Sequence, residues 1–232
     1  MLGGIVRNIE VAYSGLHIIV TSPHHSTELS IMSVIGDLLF FTGMQGPSLD
    51  DVFRSQKAKV LPNLIAKVTA KRIAESGLDD VVESIVNELL IEKLSLDSAS
   101  GISKIDEILI SGVNNWGERY SAPGLRIAKL YPYTGDSNLW KLHAGSYSLN
   151  PPRGQVDSKA LTLGMEVRAN DQQSAINHIK STLAEVLEYI EQQSNPIDVY
   201  NQSLPTDVRA ALVERQAAIQ NIDSIRNALD DI

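Results

Sequence analysis

The sequence predicts an α+β fold, in which strands and helices follow one another in blocks. Leu161, Leu163, Met165 and Val167 alternate along the segment ALTLGMEVRA, and alternation of this kind is typical of a half-buried strand. The stretch from Leu78 to Leu94 instead repeats apolar residues at the spacing of an amphipathic helix. The two kinds of segment do not alternate regularly along the chain, which favours α+β over a wound α/β fold.

The N-terminal region, residues 1–100, is predicted to begin with a β-hairpin and to continue as helices. Ile5 to Tyr13 and Leu16 to Thr21 are rich in β-forming residues, and Ser14-Gly15 supplies a short turn between them. The next segment, HHSTELSIMSVIGDLLFF, changes to helical spacing. A helix is therefore predicted over residues 24–41.

A run of helices is predicted between residues 48 and 94. Ser48 and Asp51 have the spacing of a capping box, which opens a helix. Pro62 lacks an amide donor and should kink or split that helix, and Gly77 should end it. The amphipathic helix from Leu78 follows, and the stretch SLDSASGIS after it has the composition of a polar linker.

The central region, residues 101–170, is predicted to be a small antiparallel sheet. Four segments with strand character follow one another there, namely KIDEILISG, GLRIAKLYPY, GSYSL and ALTLGMEVRA. Together with the flanking regions they are expected to form one compact unit.

The C-terminal region, residues 171–232, is predicted to form a helical hairpin or a coiled-coil-like tail. Asp171 caps the first helix, and Pro196 and Pro205 should break and restart it, because proline suits a first helical position. The last helix carries a heptad stripe whose apolar seam needs a partner. The stripe residues assigned to an oligomer interface are Val208, Arg215, Ile222, Ile225 and Leu229.

Composition argues against several classes of function. The 232 residues include no cysteine, which excludes disulfides, thiol catalysis and cysteine-ligated metals. A net charge of −8 opposes binding to nucleic acid, which draws on many Lys and Arg contacts. No apolar run has the length of a membrane span or the form of a signal peptide, so a soluble cytoplasmic protein is expected. No glycine-rich segment has the spacing of a nucleotide-binding motif, and no cofactor is expected.

Three short motifs lie in the latter half of the chain. They are PYTGD with Pro132, Thr134, Gly135 and Asp136, NPPR from Asn150 to Arg153, and YNQSLP with Asn201, Leu204 and Pro205. Through these motifs, the segment of about residues 116–219 resembles a group of uncharacterised bacterial proteins associated with mobile or anti-phage defence loci. The resemblance implies a bacterial accessory protein and implies no particular activity.

His24 and His25 are the candidates for a metal site. They lie between a predicted strand and a predicted helix, where functional side chains are often found. A metal site or an acid–base pair would need further ligands, such as Asp50 and Asp51 or else Asp136 and His143, brought close by folding. The spacing of the two histidines matches no metal-binding motif.

The aromatic segment from Leu130 to Gly154 is the candidate for a ligand site. Its aromatic rings can stack on a base or sugar, and charged neighbours can supply polar contacts. The candidate ligand-binding residues are Trp116, Arg119, Asp136, Trp140, Tyr147 and Arg153. The alternative, which the usual role of buried aromatics favours, is that these rings cover the edge of the central sheet and that Thr134 to Ser137 is only a turn.

The leading functional hypothesis is a non-enzymatic binding or assembly protein that joins a second copy or a partner subunit through its C-terminal helices. One alternative is a metal-dependent hydrolase or phosphoesterase that uses His24 and His25. Another is a sensor of a small, nucleotide-like ligand. The heptad stripe and the lack of a catalytic motif in the sequence favour the first.

Overall fold

The computed structural model describes residues 32–41, 47–113, 117–143 and 151–230, and it confirms the α+β class. Within these ranges a seven-stranded antiparallel sheet is combined with helices, the longest of which is C-terminal. The predicted hairpin at residues 5–21 and the predicted strand in GSYSL lie outside the described residues.

The strands of the sheet are β1 (Ser33–Val34), β2 (Asp37–Leu38), β3 (Ser95–Leu96), β4 (Ile102–Val113), β5 (Arg119–Thr134), β6 (Arg153–Val156) and β7 (Ala160–Arg168). Their order is β2-β6-β7-β5-β3, with β4 also beside β5 and β1 also beside β7. The segments KIDEILISG, GLRIAKLYPY and ALTLGMEVRA lie within β4, β5 and β7 almost completely. The three corresponding strand predictions are confirmed.

The register of the sheet places apolar residues of neighbouring strands opposite one another. Leu125 of β5 lies opposite Val167 of β7, and Ile127 lies opposite Met165. Val167 is fully buried, and Ile127 and Met165 are nearly so. The alternation predicted for β7 therefore does mark the side of the strand that faces a core.

The helix predicted over residues 24–41 is wrong in its described part, since residues 32–41 contain the short strands β1 and β2, joined by bends, and no helix. Ser33 and Val34 pair with Glu166 and Met165 of β7. Gly36 has a φ of 88°, which favours glycine, and a Cβ there would overlap the backbone of Gly154. Sheet pairing thus overrides the helical spacing of the apolar residues.

The capping box at Ser48 is confirmed, because its side chain accepts from the Asp51 amide and the Asp51 carboxylate accepts from the Ser48 amide. The helices that follow are α1 (Leu49–Ser55), a π-helical segment (Gln56–Val60), α2 (Leu61–Ala66), α3 (Ala70–Ser76) and α4 (Leu78–Leu89). The helix predicted to kink or split at Pro62 changes there from π to α geometry and continues without a break. Pro62 lies in the first turn of α2, just after the widened π turn.

Gly77 ends α3 with a φ of 83°, as the sequence predicts for a helix stop. Helix α4 begins directly after it but ends at Leu89, earlier than the predicted Leu94. The chain then becomes extended, with Ile91 and Leu94 buried, and leads into β3. The polar stretch predicted as a linker is therefore partly strand.

The C-terminal helix α5 (Gln172–Asp230) is one helix of 59 residues, which corrects the predicted helical hairpin. Pro196 and Pro205 lie inside it and do not break it. Ile197 and Leu204, next to the two prolines, are fully buried. The burial of this apolar side stabilises the helix enough to offset the loss of two amide donors.

The chain divides into two compact units, each made from three stretches of sequence. The first comprises residues 1–37, 98–132 and 153–184, and its core includes Leu161, Leu163, Val167 and Ala175. The second comprises residues 38–97, 133–152 and 185–232, and its core includes Phe40, Leu49, Ile85, Trp140, Ile197 and Leu204. The division of the sequence at residues 100 and 170 stays a prediction.

Candidate interaction surface

The Thr134-Gly135-Asp136 motif forms a turn that the backbone requires. Gly135 has a φ of 99°, and a Cβ there would overlap the carbonyl oxygen of Lys93. The Asp136 amide donates to the Glu92 carbonyl at 3.0 Å. The Asp136 carboxylate accepts from the Asn138 amide at 2.9 Å and so caps the 3-10 turn Ser137–Lys141. Asp136, a predicted ligand residue, thus has a structural role in this turn.

Trp140 lies in the core of the second unit, so this ring has a packing role and not the predicted role in ligand binding. Its side chain is 2% exposed, and its ring lies 5.4 Å from that of Phe40 and 5.3 Å from that of Tyr133. The Phe40 ring also stacks on Tyr189 at 4.9 Å. A ring enclosed in this way has no face left on which a ligand could stack.

Buried Gln193 of α5 holds the turn that carries Trp140. Its side-chain amide donates to the carbonyl of Leu142 at 2.6 Å and to that of Leu139 at 3.1 Å. Its own amide oxygen finds no donor among the described residues. Nothing in the sequence marks this glutamine, because the turn it binds is about fifty residues away along the chain.

The described members of the predicted ligand set are divided between the two units. Arg119 and Arg153 belong to the first unit and are exposed, whereas Asp136 and Trp140 belong to the second. Trp116 and Tyr147 lie outside the described residues. Arg119 lines an open depression of about 500 Å³ at the end of the β4–β5 hairpin, beside Tyr120 and Ser111.

His24 and His25 lie outside the described residues. Asp51, a suggested metal ligand, is engaged in the capping box, and the hydrogen bonds that its carboxylate accepts from the Ser48 amide and hydroxyl lower the pKa of its carboxyl below the usual value. No cluster of three or more His, Asp or Glu side chains in the described ranges could hold a metal ion. The metal site remains a prediction from the sequence.

A lysine–serine–aspartate cluster lies where the π segment meets α5. The Lys57 ammonium lies 2.9 Å from the Ser203 hydroxyl and 2.6 Å from the Asp207 carboxylate. An ammonium held by a carboxylate has no lone pair to take a proton from serine. The cluster therefore links the π segment to α5 and does not form a nucleophile–base pair.

Tyr200 completes this junction. Its hydroxyl donates to the Gln56 side chain, and its ring stacks on Phe53 at 4.4 Å. Burial, together with the negative charge of Asp207, raises the pKa of Tyr200 to about 12. Tyrosine and asparagine of the YNQSLP motif are both structural here, since Asn201 also bonds the backbone of Ile91 through both ends of its amide.

The heptad stripe of α5 is partly core and partly surface. Val208, which the pattern assigned to an interface, is fully buried inside the second unit, as is Leu212. Arg215 occupies a stripe position because it reaches the carbonyl oxygens of Val68 and Ala66, both at 3.4 Å. Those carbonyls lie at the end of α2, where positive charge is favourable. The predicted interface set is therefore wrong for two of its members: Val208 is buried within the second unit, and Arg215 donates to carbonyl oxygens of the same chain.

The rest of the stripe lies on the surface. Ile222 is 52% exposed, Ile225 is 53% exposed and Leu229 is 64% exposed. At ~100° per residue the three lie within about 60° of buried Leu204 around the helix axis. The apolar side of α5 thus continues on the same side of the helix after its last buried residue.

No family model, no curated protein and no solved structure matches the chain. In the described ranges, no helix is long and apolar enough to cross a membrane. The exposed end of α5 is consequently interpreted from its own chemistry.

Proposed function

We propose that this chain is a non-enzymatic assembly protein that self-associates through the exposed end of α5. The observation that carries the proposal is the apolar stripe of Ile222, Ile225 and Leu229, which no described residue of the chain covers. The occupant is the same stripe of a second copy, because heptad stripes interlock with one another as knobs into holes. The resemblance of residues 116–219 supports a place in a bacterial multi-subunit system.

Helix stability supports the same proposal. From Leu212 to Leu229 the helix extends by ~25 Å at the usual rise per residue. Nearly all side chains in residues 213–229 are exposed. A helix of this length without tertiary packing is marginal in water. Pairing with a second helix would bury the stripe and stabilise this end.

The test is the mass of the protein in solution. Light scattering at tens of micromolar protein is expected to give at least a dimer for the natural chain. Ile222→Ser combined with Leu229→Ser should lower the average mass relative to the natural chain, since each removes an apolar side chain from the seam. A monomeric natural chain would contradict the proposal.

Val213→Ser is the matched control. Val213 is 51% exposed on the same helix, and at ~100° per residue it lies on the opposite side from Leu204. The substitution should leave the mass unchanged. Equal loss of assembly in Val213→Ser and in the stripe variant would attribute the effect to helix propensity and not to the seam.

The two alternative functions keep their sequence basis. A hydrolase that uses His24 and His25 predicts a bound metal by elemental analysis and a loss of activity in the double alanine variant. A ligand sensor predicts that a nucleotide raises the melting temperature in a thermal-shift screen. Buried Trp140 is no longer a residue that such a ligand could contact.

A further inference from the structure

Strand β4 lies at an edge of the sheet that the described residues form in the first unit. Among the described residues it pairs with β5 and with no strand on its other side. The strand is 12 residues long. It also exposes large apolar side chains, with Ile102 at 67%, Ile105 at 64% and Leu109 at 74%. A long apolar edge with free backbone donors and acceptors is a template for another strand.

The sequence of β4 is complementary to itself when read antiparallel. Residues 102–108 read ISKIDEI, and Ile105 is their centre. When this segment faces its own copy, Lys104 lies opposite Asp106 and Ile102 lies opposite Ile108. Within one chain Lys104 and Asp106 form an exposed ion pair at 3.4 Å, and an exposed pair of this kind exchanges partners at little cost, so each charge can turn to the opposite charge of a second copy.

We infer that β4 is a second self-association surface, on which two copies pair antiparallel about a two-fold axis at Ile105. The pairing would extend the sheet of one copy into that of the other, with new backbone hydrogen bonds between the two β4 strands. Opposite charges and apolar pairs directly opposite one another stabilise such a ladder. This surface belongs to the first unit, and the inference does not depend on the α5 stripe.

Neighbouring registers are less favourable. A shift of the axis to residue 106 places Asp106 opposite Asp106, and a shift to residue 104 places Lys104 opposite Lys104. Like charges directly opposite are destabilising. More distant registers place no opposite charge of the second copy across the ladder from Lys104 or Asp106. Lys104 and Asp106 therefore favour the register centred on Ile105, and the same two charges make pairing with an unrelated strand less favourable.

A single cysteine placed on the axis tests the pairing, because the chain has no natural cysteine. In Ile105→Cys the two thiols lie opposite each other, with Cβ atoms about 5 Å apart, and mild oxidation should join the copies. Ile102→Cys is the matched control. Its exposure is nearly the same, but its two copies lie ~20 Å apart across the axis.

Both cysteine variants are made in the chain that also carries Ile222→Ser and Leu229→Ser, so that crosslinking does not depend on α5. We expect Ile105→Cys to form the intermolecular disulfide roughly tenfold faster than Ile102→Cys, given the geometry that a disulfide requires. Equal rates, or no disulfide in either variant, would overturn the inference. The change in mass that Ile222→Ser and Leu229→Ser cause tests the α5 seam separately from either result.

A charge substitution provides the second measurement. Lys104→Glu, added to the Ile105→Cys chain, places a carboxylate opposite Asp106 of the other copy, and it should slow the crosslinking about tenfold. Lys159→Glu makes the same change in net charge at an exposed residue of the β6–β7 turn and should have no effect. Equal crosslinking rates in the two charge variants would show that charge pairing does not set the register.

Discussion

Gln193 is expected to be a determinant of stability, although it is a single polar residue on a long helix. Its side chain is 1% exposed, and its amide donates to two carbonyls of the turn that carries Trp140. Gln193→Met keeps the length and most of the volume of the side chain and removes both donors. The substitution therefore tests the hydrogen bonds with little change in packing.

The magnitude follows from the partners that each carbonyl retains. The Leu139 carbonyl also accepts from the Leu142 amide at 3.1 Å, so it stays bonded. The Leu142 carbonyl loses its short bond at 2.6 Å and becomes a buried acceptor without that donor. Leaving such a group unsatisfied costs ~1–3 kcal/mol. Removal of the Gln193 amide oxygen, itself unbonded among the described residues, offsets part of this cost.

We therefore expect Gln193→Met to lower the free energy of unfolding by about 2 kcal/mol. Gln193→Glu should cost more, since it places a carboxylate against two carbonyl oxygens in a buried site. Urea denaturation at one fixed protein concentration, followed by tryptophan fluorescence and circular dichroism, measures both.

Gln173→Met on the same helix is the control, since Gln173 is exposed and bonds only locally to Asn177 at 2.9 Å. Its change should stay within about 0.5 kcal/mol. The reasoning is refuted if Gln193→Met is as stable as this control, or if Gln193→Glu is no less stable than Gln193→Met.

Three further predictions concern the backbone and the pH dependence. Gly135→Ala should lower the free energy of unfolding by about 3 kcal/mol or more, because the new Cβ is strained and overlaps Lys93. Gly77→Ala has similar backbone strain but open space around the Cβ, and it should cost only ~1–2 kcal/mol. Urea denaturation compares the two variants. Tyrosinate absorbance of the folded protein should show one component titrating near pH 12, and Tyr200→Phe should remove it. Burial lowers the pKa of His178 below 6.5 in the folded protein. The contribution of this group to stability should therefore be fully present above pH 6.5 and be lost as the pH drops through the folded pKa. The melting temperature of His178→Gln should lack this part of the decline at low pH.

Local signals in the sequence were accurate wherever a few neighbouring residues decide the structure. The capping box of Ser48 and Asp51 and the stop at Gly77 depend on backbone groups within one turn. The strand alternation of β7 likewise depends on the geometry of an extended chain. These elements are found where the sequence predicts them.

Predictions failed where distant residues compete with the local pattern. Residues 32–41 have helical spacing, yet pairing with β7 and the close approach of Gly36 to Gly154 give short strands and no helix there. Pro196 and Pro205 predict breaks, yet tertiary packing keeps α5 continuous. Apolar spacing predicts that a residue is buried but does not identify the residues that bury it. Both errors therefore have one physical cause, namely that contacts with distant residues outweigh local preferences.

The interface prediction shows the same division. The sequence determined that α5 carries an apolar stripe, because helical periodicity depends only on the order of residues. Only the tertiary structure decided that the stripe is buried within the chain at Val208 and exposed from Ile222 to Leu229. The sequence also determined the charge order of β4, and the fold decided that this strand lies at an open edge of the described sheet. Exposure depends on which residues the rest of the chain covers, and that is set by contacts between segments far apart in sequence.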